Sequence, residues 1–469
     1  MVLLAIISTI CTIQTLCCTA AQPFNTAPPA CYSKLPERSM EIIEERRLEE
    51  PRKSGTLTIT SAVKQALKHN PDLNAMSYAL QADRSIASAA KSGYMPKIDA
   101  TSNLSRTQGN NSIATQTTFA ASQLIYSGAG PRQEYKKSKA WAEATELEKA
   151  ARLNHIRKET EKTFLQAWLI QKQAALSKAI TASARKTFST QKHQHKLKKI
   201  DRTLWLKNAS DFAHQITAAD EYHDDTQLIT NALSFLMGEQ TDRSNTNKRY
   251  AWNYKKKIAP LNPLDTYLHA AVTARPEVPR GLKRIAVEKW NARLAQGTRL
   301  PVITLNAQSS CNTQPANSGS IFVRGGIPEV IPSTGNITTE WSVNLGLSWS
   351  LFDGLVTHYH EQAAQANKMK EILLHEQKLL DIKREVHAAY FGFSKAQKRF
   401  KAQKLHLLQA ANDMKLQEQN RTLGKITEAE YETACTTWHK ARLEWLSSRV
   451  QVAQAECELQ YACGYPIIS

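Results

Sequence analysis

From Arg132 to Met237 the chain contains neither glycine nor proline. Ala, Lys, Glu, Gln and Leu dominate that stretch, a composition of good helix formers sustained far beyond an ordinary globular helix. At ~1.5 Å of rise per residue, the portion from Arg132 to His193 alone spans roughly 90 Å as a helix. The size prior for 469 residues, two or three compact domains, fails for a chain built this way. A turn is still required near Lys196 to Asp201 for the chain to come back on itself.

The chain also repeats. With a shift of 205 residues, Asn70-Pro71-Asp72-Leu73 falls on Arg275-Pro276-Glu277-Val278, and Tyr94-Met95-Pro96 falls on Arg299-Leu300-Pro301. With a shift of 226, Ile125-Tyr126-Ser127-Gly128 falls on Leu351-Phe352-Asp353-Gly354, Phe164 on Tyr390, and Leu233 to Gly238 on Leu459 to Gly464. The change of shift lies between Pro301 and Leu351, where Gly, Ser, Asn, Thr and Pro cluster from Cys311 to Thr339, so the second copy has a longer loop. Each copy, 57–238 and 264–464, reads as helix, strand, loop, strand, long helix, turn, helix. The polar segment 239–263, with Lys255-Lys256-Lys257, reads as a linker.

Local signals set the breaks. Leu57 to Ser92 is helical in pattern with an extended break at Asn70-Pro71, because a residue before proline avoids the αR region. In the second copy the run Arg421 to Glu428 offers a helix stop at Gly424. A new start follows, capped by Thr427 with Glu430 three residues on, a capping box.

Trp341 to Leu351 alternates without error, apolar at odd positions and small or polar at even ones. That is a period of two over about ten residues, the length of a strand crossing an outer membrane. Trp341 and Trp349 lie on the apolar face, where an aromatic girdle meets headgroups. A half-buried strand of a soluble sandwich alternates in the same way. Only three other strand candidates are visible, however, near Lys97 to Arg106, Thr117 to Tyr126 and Val302 to Ser309, so no second sheet is available. Four strands with an apolar outer face cannot close alone, and an open edge in lipid leaves backbone groups unpaired. Three chains supply twelve strands, enough for a closed barrel.

The remaining composition narrows the function classes. Beyond the N-terminus no run approaches the ~18 apolar residues of a membrane helix, and mean hydropathy is −0.45. Met1 to Ala21 resembles a secretory signal peptide, without a preceding Lys or Arg, and 22–56 reads as a charged, disordered segment. Leu16-Cys17 and Ala30-Cys31 lack the residues of a lipoprotein cleavage site. The net charge of +19 is spread over helical stretches with acidic neighbours three or four residues away, the look of solvated helix faces rather than a nucleic-acid surface. The cysteines at 31, 311, 435, 457 and 463 show no metal-ligand spacing. No phosphate-binding glycine loop, nucleophile elbow or paired-histidine metal motif is present. The expectation is therefore a chain without catalysis, cofactor or metal.

In this order and in two copies, several short patterns resemble the TolC-like outer-membrane efflux proteins. They are Leu57-Thr58-Ile59 leading into Ala62 to Leu67 and Asn70 to Leu73, then Ala90 to Asp99, Ser350 to Gly354, and Leu423-Gly424-Lys425-Ile426-Thr427. The resemblance implies a mainly α fold with a membrane β-barrel: a long antiparallel α-helical tunnel in the periplasm, and four strands per chain in a twelve-stranded barrel closed by a homotrimer. It implies a passive exit duct in the outer membrane for small molecules or proteins, serving a tripartite efflux or type I secretion system. The implied partners are further copies of itself, a periplasmic adaptor, an inner-membrane pump and outer-membrane lipid, with no nucleic acid.

By that resemblance Leu423, Gly424, Lys425 and Ile426 match the tunnel-tip turn where adaptor hairpins dock, with Leu197, Lys198 and Ile200 as their first-copy counterparts. Glu430 falls where an acidic residue rings the entrance; capping of the helix start is its other reading. The first copy has Lys198 where the family usually has glycine, in a strongly basic run, which sets docking there in question or points to a partner with an acidic hairpin. A periplasmic or surface-associated coiled-coil structural protein is the alternative; it accounts for the long helices but not for the strand at Trp341 to Leu351.

Overall fold

The computed structural model describes residues 57–107, 112–128, 130–239, 250–253, 258, 260–314, 320–324, 327–331 and 336–465. The expected leader at 1–21, the segment 22–56 and Lys255 to Lys257 lie outside them. In chain order the elements are β1 (Leu57–Thr58), α1 (Ile59–His69), α2 (Pro71–Ser92), β2 (Lys97–Thr107), β3 (Ser112–Ser127), α3 (Pro131–Lys196), α4 (Arg202–Leu236) and β4 (Tyr250–Ala251). They continue as α5 (Leu264–Ala274), α6 (Glu277–Gly297), β5 (Val302–Gln314), β6 (Ser320–Arg324), β7 (Ile327–Ile331), β8 (Asn336–Ser348), α7 (Val356–Thr422) and α8 (Glu428–Ala462). The chain divides into a strand unit, Ser92–Gly130 with Thr298–Phe352, and a helical unit holding the rest of the described chain. Among the described residues no helix is long and apolar enough to cross a membrane.

In the helical unit α3 has 66 residues and α7 has 67. Both pack against the helix that follows them, α3 with α4 and α7 with α8; α3 also packs on α8, and α6 lies against both α3 and α7. The largest buried cluster gathers Ala62 and Ala66 of α1, Phe164, Leu165 and Trp168 of α3, and Leu233 of α4, with Val450 of α8 beside them. Along α2 the buried residues are Leu73, Leu80 and Ala87, a seven-residue spacing that keeps one narrow seam inward. The segment expected as a polar linker supplies two aromatic anchors. Tyr250 is buried, donates its hydroxyl to Thr230 Oγ1 at 3.0 Å and meets Phe164 edge-on, while Trp252 meets Trp168 edge-on.

The helix breaks follow the proline logic and then diverge. Asn70 is extended at φ −61°, ψ 123°, and its side chain donates to the Leu236 carbonyl and accepts from the Asp72 N–H. The counterpart Arg275, φ −75°, ψ 127°, is buried and pairs with Glu277 at 2.9 Å and Glu385 at 2.6 Å. Burial disfavours the Glu277 carboxylate, but the Arg275 hydrogen bond and charge outweigh it and hold its pKa below the usual range. Helix α4 closes on the end of α1 through Gly238 (φ +70°), where a Cβ would lie 2.3 Å from the His69 carbonyl oxygen, and α8 closes on the end of α5 through Gly464 (φ +90°).

The main sheet of the strand unit is antiparallel in the order β2-β3-β5-β8, with a bulge between Leu124 and Tyr126. Its strands outrun the expected stretches except at one end, where β8 stops at Ser348 and leaves Trp349 to Leu351 outside the ladder. Part of the 311–339 stretch expected as loop is strand: β5 extends into it, β6 and β7 form a hairpin, and β8 starts within it. Residues paired directly across strands share a face. Leu347, Leu345, Val343 and Trp341 stand beside Ile303, Leu305, Ala307 and Ser309. Ala307 continues to Ala121 and Ile98, and Ser309 to Phe119 and Ala100. On the other face Glu340, Ser342 and Asn344 stand beside Ser310, Gln308 and Asn306, continuing to Thr118, Ala120 and Ser122.

Candidate functional site

Two places hold the residues that the sequence singles out: the ends of the two long helical hairpins and the apolar face of the sheet. At the α7–α8 end Gly424 takes φ +65°, its N–H bonding the Arg421 carbonyl and the Lys425 N–H bonding the Asn420 carbonyl. This is the left-handed helix stop that the sequence announces with glycine. At the α3–α4 end Lys198 takes φ +54°, its N–H bonding the His195 carbonyl and the Lys199 N–H bonding the Gln194 carbonyl. The two turns have the same hydrogen-bond pattern although one lacks the glycine. Leu197 and Leu423 are both exposed beside them.

The restart of each second helix is capped differently. Thr427 accepts from the Glu430 N–H while the Glu430 carboxylate accepts from the Thr427 N–H at 2.8 Å and from its hydroxyl, the complete capping box. These bonds, the backbone one foremost, hold the Glu430 carboxyl below its usual range. Within one chain Glu430 is thus the partner of Thr427, the cap residue, in that box. In α4 the Asp201 carboxylate accepts from the Thr203 N–H, and hydrogen bonding by the Thr203 side chain, then by its backbone, lowers the Asp201 pKa in turn. Ile426 and Glu430 line a shallow groove with His406, Ala410 and Thr437, whereas Ile200 is half-buried at its own turn.

The structure also assembles residues that the sequence does not bring together. Phe212, Phe188, Trp205 and His195 form a continuous stack, with successive ring centroids 4.5, 5.1 and 5.0 Å apart. At the other end the positions equivalent to His195 and Trp205 are Arg421 and Tyr431, and there the guanidinium lies 4.5 Å over the Tyr431 ring. Thr187 donates its hydroxyl to Glu432, tying the two hairpins together near their ends. Two aromatic residues on antiparallel helices are one signal that could have exposed the stack.

On the sheet, Trp341 is 79% exposed, Leu345 72% and Leu104 74%. The apolar face is open, and none of its residues belongs to a buried cluster. Trp349, just past β8, donates its indole N–H to the Arg299 carbonyl at 3.0 Å. Among the described residues no group of three or more His, Cys, Asp or Glu side chains is placed to hold a metal.

A two-faced antiparallel sheet thus stands in a chain otherwise made of very long paired helices. The sequence pattern of the outer membrane efflux protein family matches residues 62–239 and 268–465, and the chain belongs to that family. Members are efflux channels of the outer membrane rather than enzymes, and that is the class the family gives this chain. No curated protein matches the chain by sequence. Among solved structures the fold is similar to the Campylobacter jejuni CmeC outer membrane channel (TM-score 0.69, 15% identity, covering 94% of this chain and 94% of that one). It is also similar to a membrane protein from Pseudomonas aeruginosa (TM-score 0.68, 17% identity, 87% and 92%). A third likeness is the open state of the Neisseria gonorrhoeae MtrE outer membrane channel (TM-score 0.65, 15% identity, 87% and 89%).

Proposed function

We propose that this chain is one third of a passive exit duct of the outer membrane, a homotrimer whose twelve strands close a barrel and whose helices form a periplasmic tunnel. The carrying observation is the sheet. One face of the sheet is largely apolar, exposed at Ile98 and Leu104 of β2 and at Trp341 to Leu347 of β8 and half-buried along β3 and β5, the other is largely polar, and β2 and β8 end the sheet. In water such a face and such edges are an aggregation liability, whereas in lipid a closed ring of three copies covers both. Trp341 and Trp349 serve as headgroup girdle residues. The proposed repeats 57–238 and 264–464 then each contribute one strand pair and one hairpin.

The hairpin turns at Leu197, Lys198 and Ile200 and at Leu423 to Ile426 are the surfaces for a periplasmic adaptor, which links the duct to an inner-membrane pump of a tripartite efflux or type I secretion system. A ring of Glu430 carboxylates narrows the entrance. Cysteine placed at Val343 or Leu345 should resist a water-soluble, membrane-impermeant thiol reagent in intact outer membranes, while cysteine at Asn344 or Ser348 reacts. The reverse pattern would overturn the facing, and extraction as a monomer would overturn the trimer. Unaltered ion selectivity of the reconstituted Glu430→Gln channel would return Glu430 to capping alone.

A further inference from the structure

The two hairpin ends have one backbone and opposite charge. From residue 185 to 207 the chain carries eight Lys and Arg against the single acid Asp201, a net +7. The equivalent span, 411 to 433, carries three basic residues against five acidic ones, a net −2. At matched positions the sign inverts outright: Lys192 stands against Glu418, and Arg202 against Glu428. Among the described residues none of the eight cations joins an ion pair, whereas Arg421 pairs with Glu428 at 2.8 Å.

The basic end is also preformed. The stack from Phe212 to His195 braces the last turns of α3 against the first turns of α4. Lys198 occupies a left-handed position where glycine would fit without steric cost, so a cation stands at the turn itself. Beside this end lies a mostly polar groove of about 550 Å³, lined by Phe188, Leu204, Phe212 and Asp211 of the basic hairpin and by Glu432 and His439 of α8. A groove along a helix pair with ring and leucine side chains among its polar lining accepts the side chains of another helix. A planar layer of headgroups has nothing to insert there.

We propose that the α3–α4 end is a docking surface for an acidic helical hairpin of a protein partner, and that the acidic α7–α8 end repels the same hairpin. Charge then fixes which of the two ends each partner hairpin meets, a register that backbone shape alone does not supply. The inference rests on the reading of these turns as docking tips.

The test uses the purified full-length protein in detergent and one designed antiparallel helical hairpin made in three versions, with Glu, Gln or Lys on the turns nearest its loop. The Glu version should bind roughly tenfold more tightly than the Gln version at low salt, and the advantage should shrink as salt rises. The triple variant Lys192→Glu, Lys196→Glu, Lys199→Glu should transfer the preference to the Lys version, with Lys198 left in place to keep the turn. Equal binding of the Glu and Gln versions, or a preference unchanged by the triple variant, would overturn the proposal. Vesicles rich in anionic phospholipid that bind the native chain while the Glu hairpin does not would overturn it in favour of a membrane surface. In cells, impaired export by both Gly424→Val and the triple variant supports it. Impaired export by Gly424→Val with normal export by the triple variant removes the charge pairing and leaves tip docking standing. Normal export by both removes tip docking as well.

Discussion

The α3–α4 and α7–α8 ends reach the same turn by different chemistry. One places Gly424 at the left-handed position and the other Lys198, and both then make the same pair of backbone hydrogen bonds. One braces the turn with a guanidinium over Tyr431, the other with a four-ring stack ending on His195. One restarts with a reciprocal Thr427–Glu430 box, the other with Asp201 alone. The backbone of a helical hairpin is thus specified redundantly, by hydrogen bonds plus one local brace, which leaves the exposed side chains free to differ.

The largest expected effect breaks the braces. Trp205→Ala removes the central pair of ring contacts at the α3–α4 end and should cost about 2 kcal/mol of local stability, aromatic pairs and half-buried ring area together. Tyr431→Ala removes a half-buried ring with a single cation–π contact and should cost about 1 kcal/mol. Amide hydrogen exchange at Lys199 and Lys425, which reports local opening, measures both. Equal protection losses at the two turns would mean that the braces are equivalent.

Next come the left-handed residues themselves. Gly424→Val puts a β-branched side chain at φ +65° with open space around it, so the cost is conformational rather than steric clash, roughly 1–2 kcal/mol. Lys198→Gly relieves the same strain and should stabilise its turn by up to about 1 kcal/mol. Protection at Lys425 should fall and protection at Lys199 should rise. A fall at both would show that the Lys198 side chain holds its turn through contacts of its own.

The legibility of these features in the sequence follows their range. The strand faces were readable because alternation is local: Trp341 to Ser348 carries its own pattern, and the register then extends that face to β2, β3 and β5. Its end was overrun, since Trp349 and Leu351 keep the alternation after the ladder has stopped. The turn at Gly424 and the Thr427 box were readable because glycine and a capping pair act within a few residues. The left-handed Lys198 was not, because lysine carries no turn signal and only the returning helix imposes the conformation. The ring stack was hidden by distance: Phe188 and Trp205 meet across antiparallel helices. Tyr250 and Trp252 were hidden by their polar neighbours, which set the average of the segment but not the fate of its two large side chains.

The smallest effect sharpens the charge contrast through pH. Glu430 and Asp201 both have depressed carboxyl pKa values in the folded chain, caused by hydrogen bonds from Thr427 and from Thr203 respectively. A depressed folded pKa means that each cap contributes fully above the ordinary carboxylate range and is lost as pH falls through the folded value. Both helix starts should therefore loosen in acid, and protection at the Thr427 and Thr203 amides, which donate to the two carboxylates, should drop together once corrected for intrinsic exchange. The ends then part company in charge. Protonating the acids of residues 411 to 433 leaves only three cations, so that end turns from −2 to +3, while the 185 to 207 end, already at +7 and holding His193 and His195, only becomes more positive. Below the carboxylate range the two ends have the same sign, and the Glu hairpin, if its own acids are replaced by sulfonates that stay ionised, should bind both. Binding that stays confined to the α3–α4 end in acid would show that groove shape, rather than the charge of the α7–α8 end, excludes it.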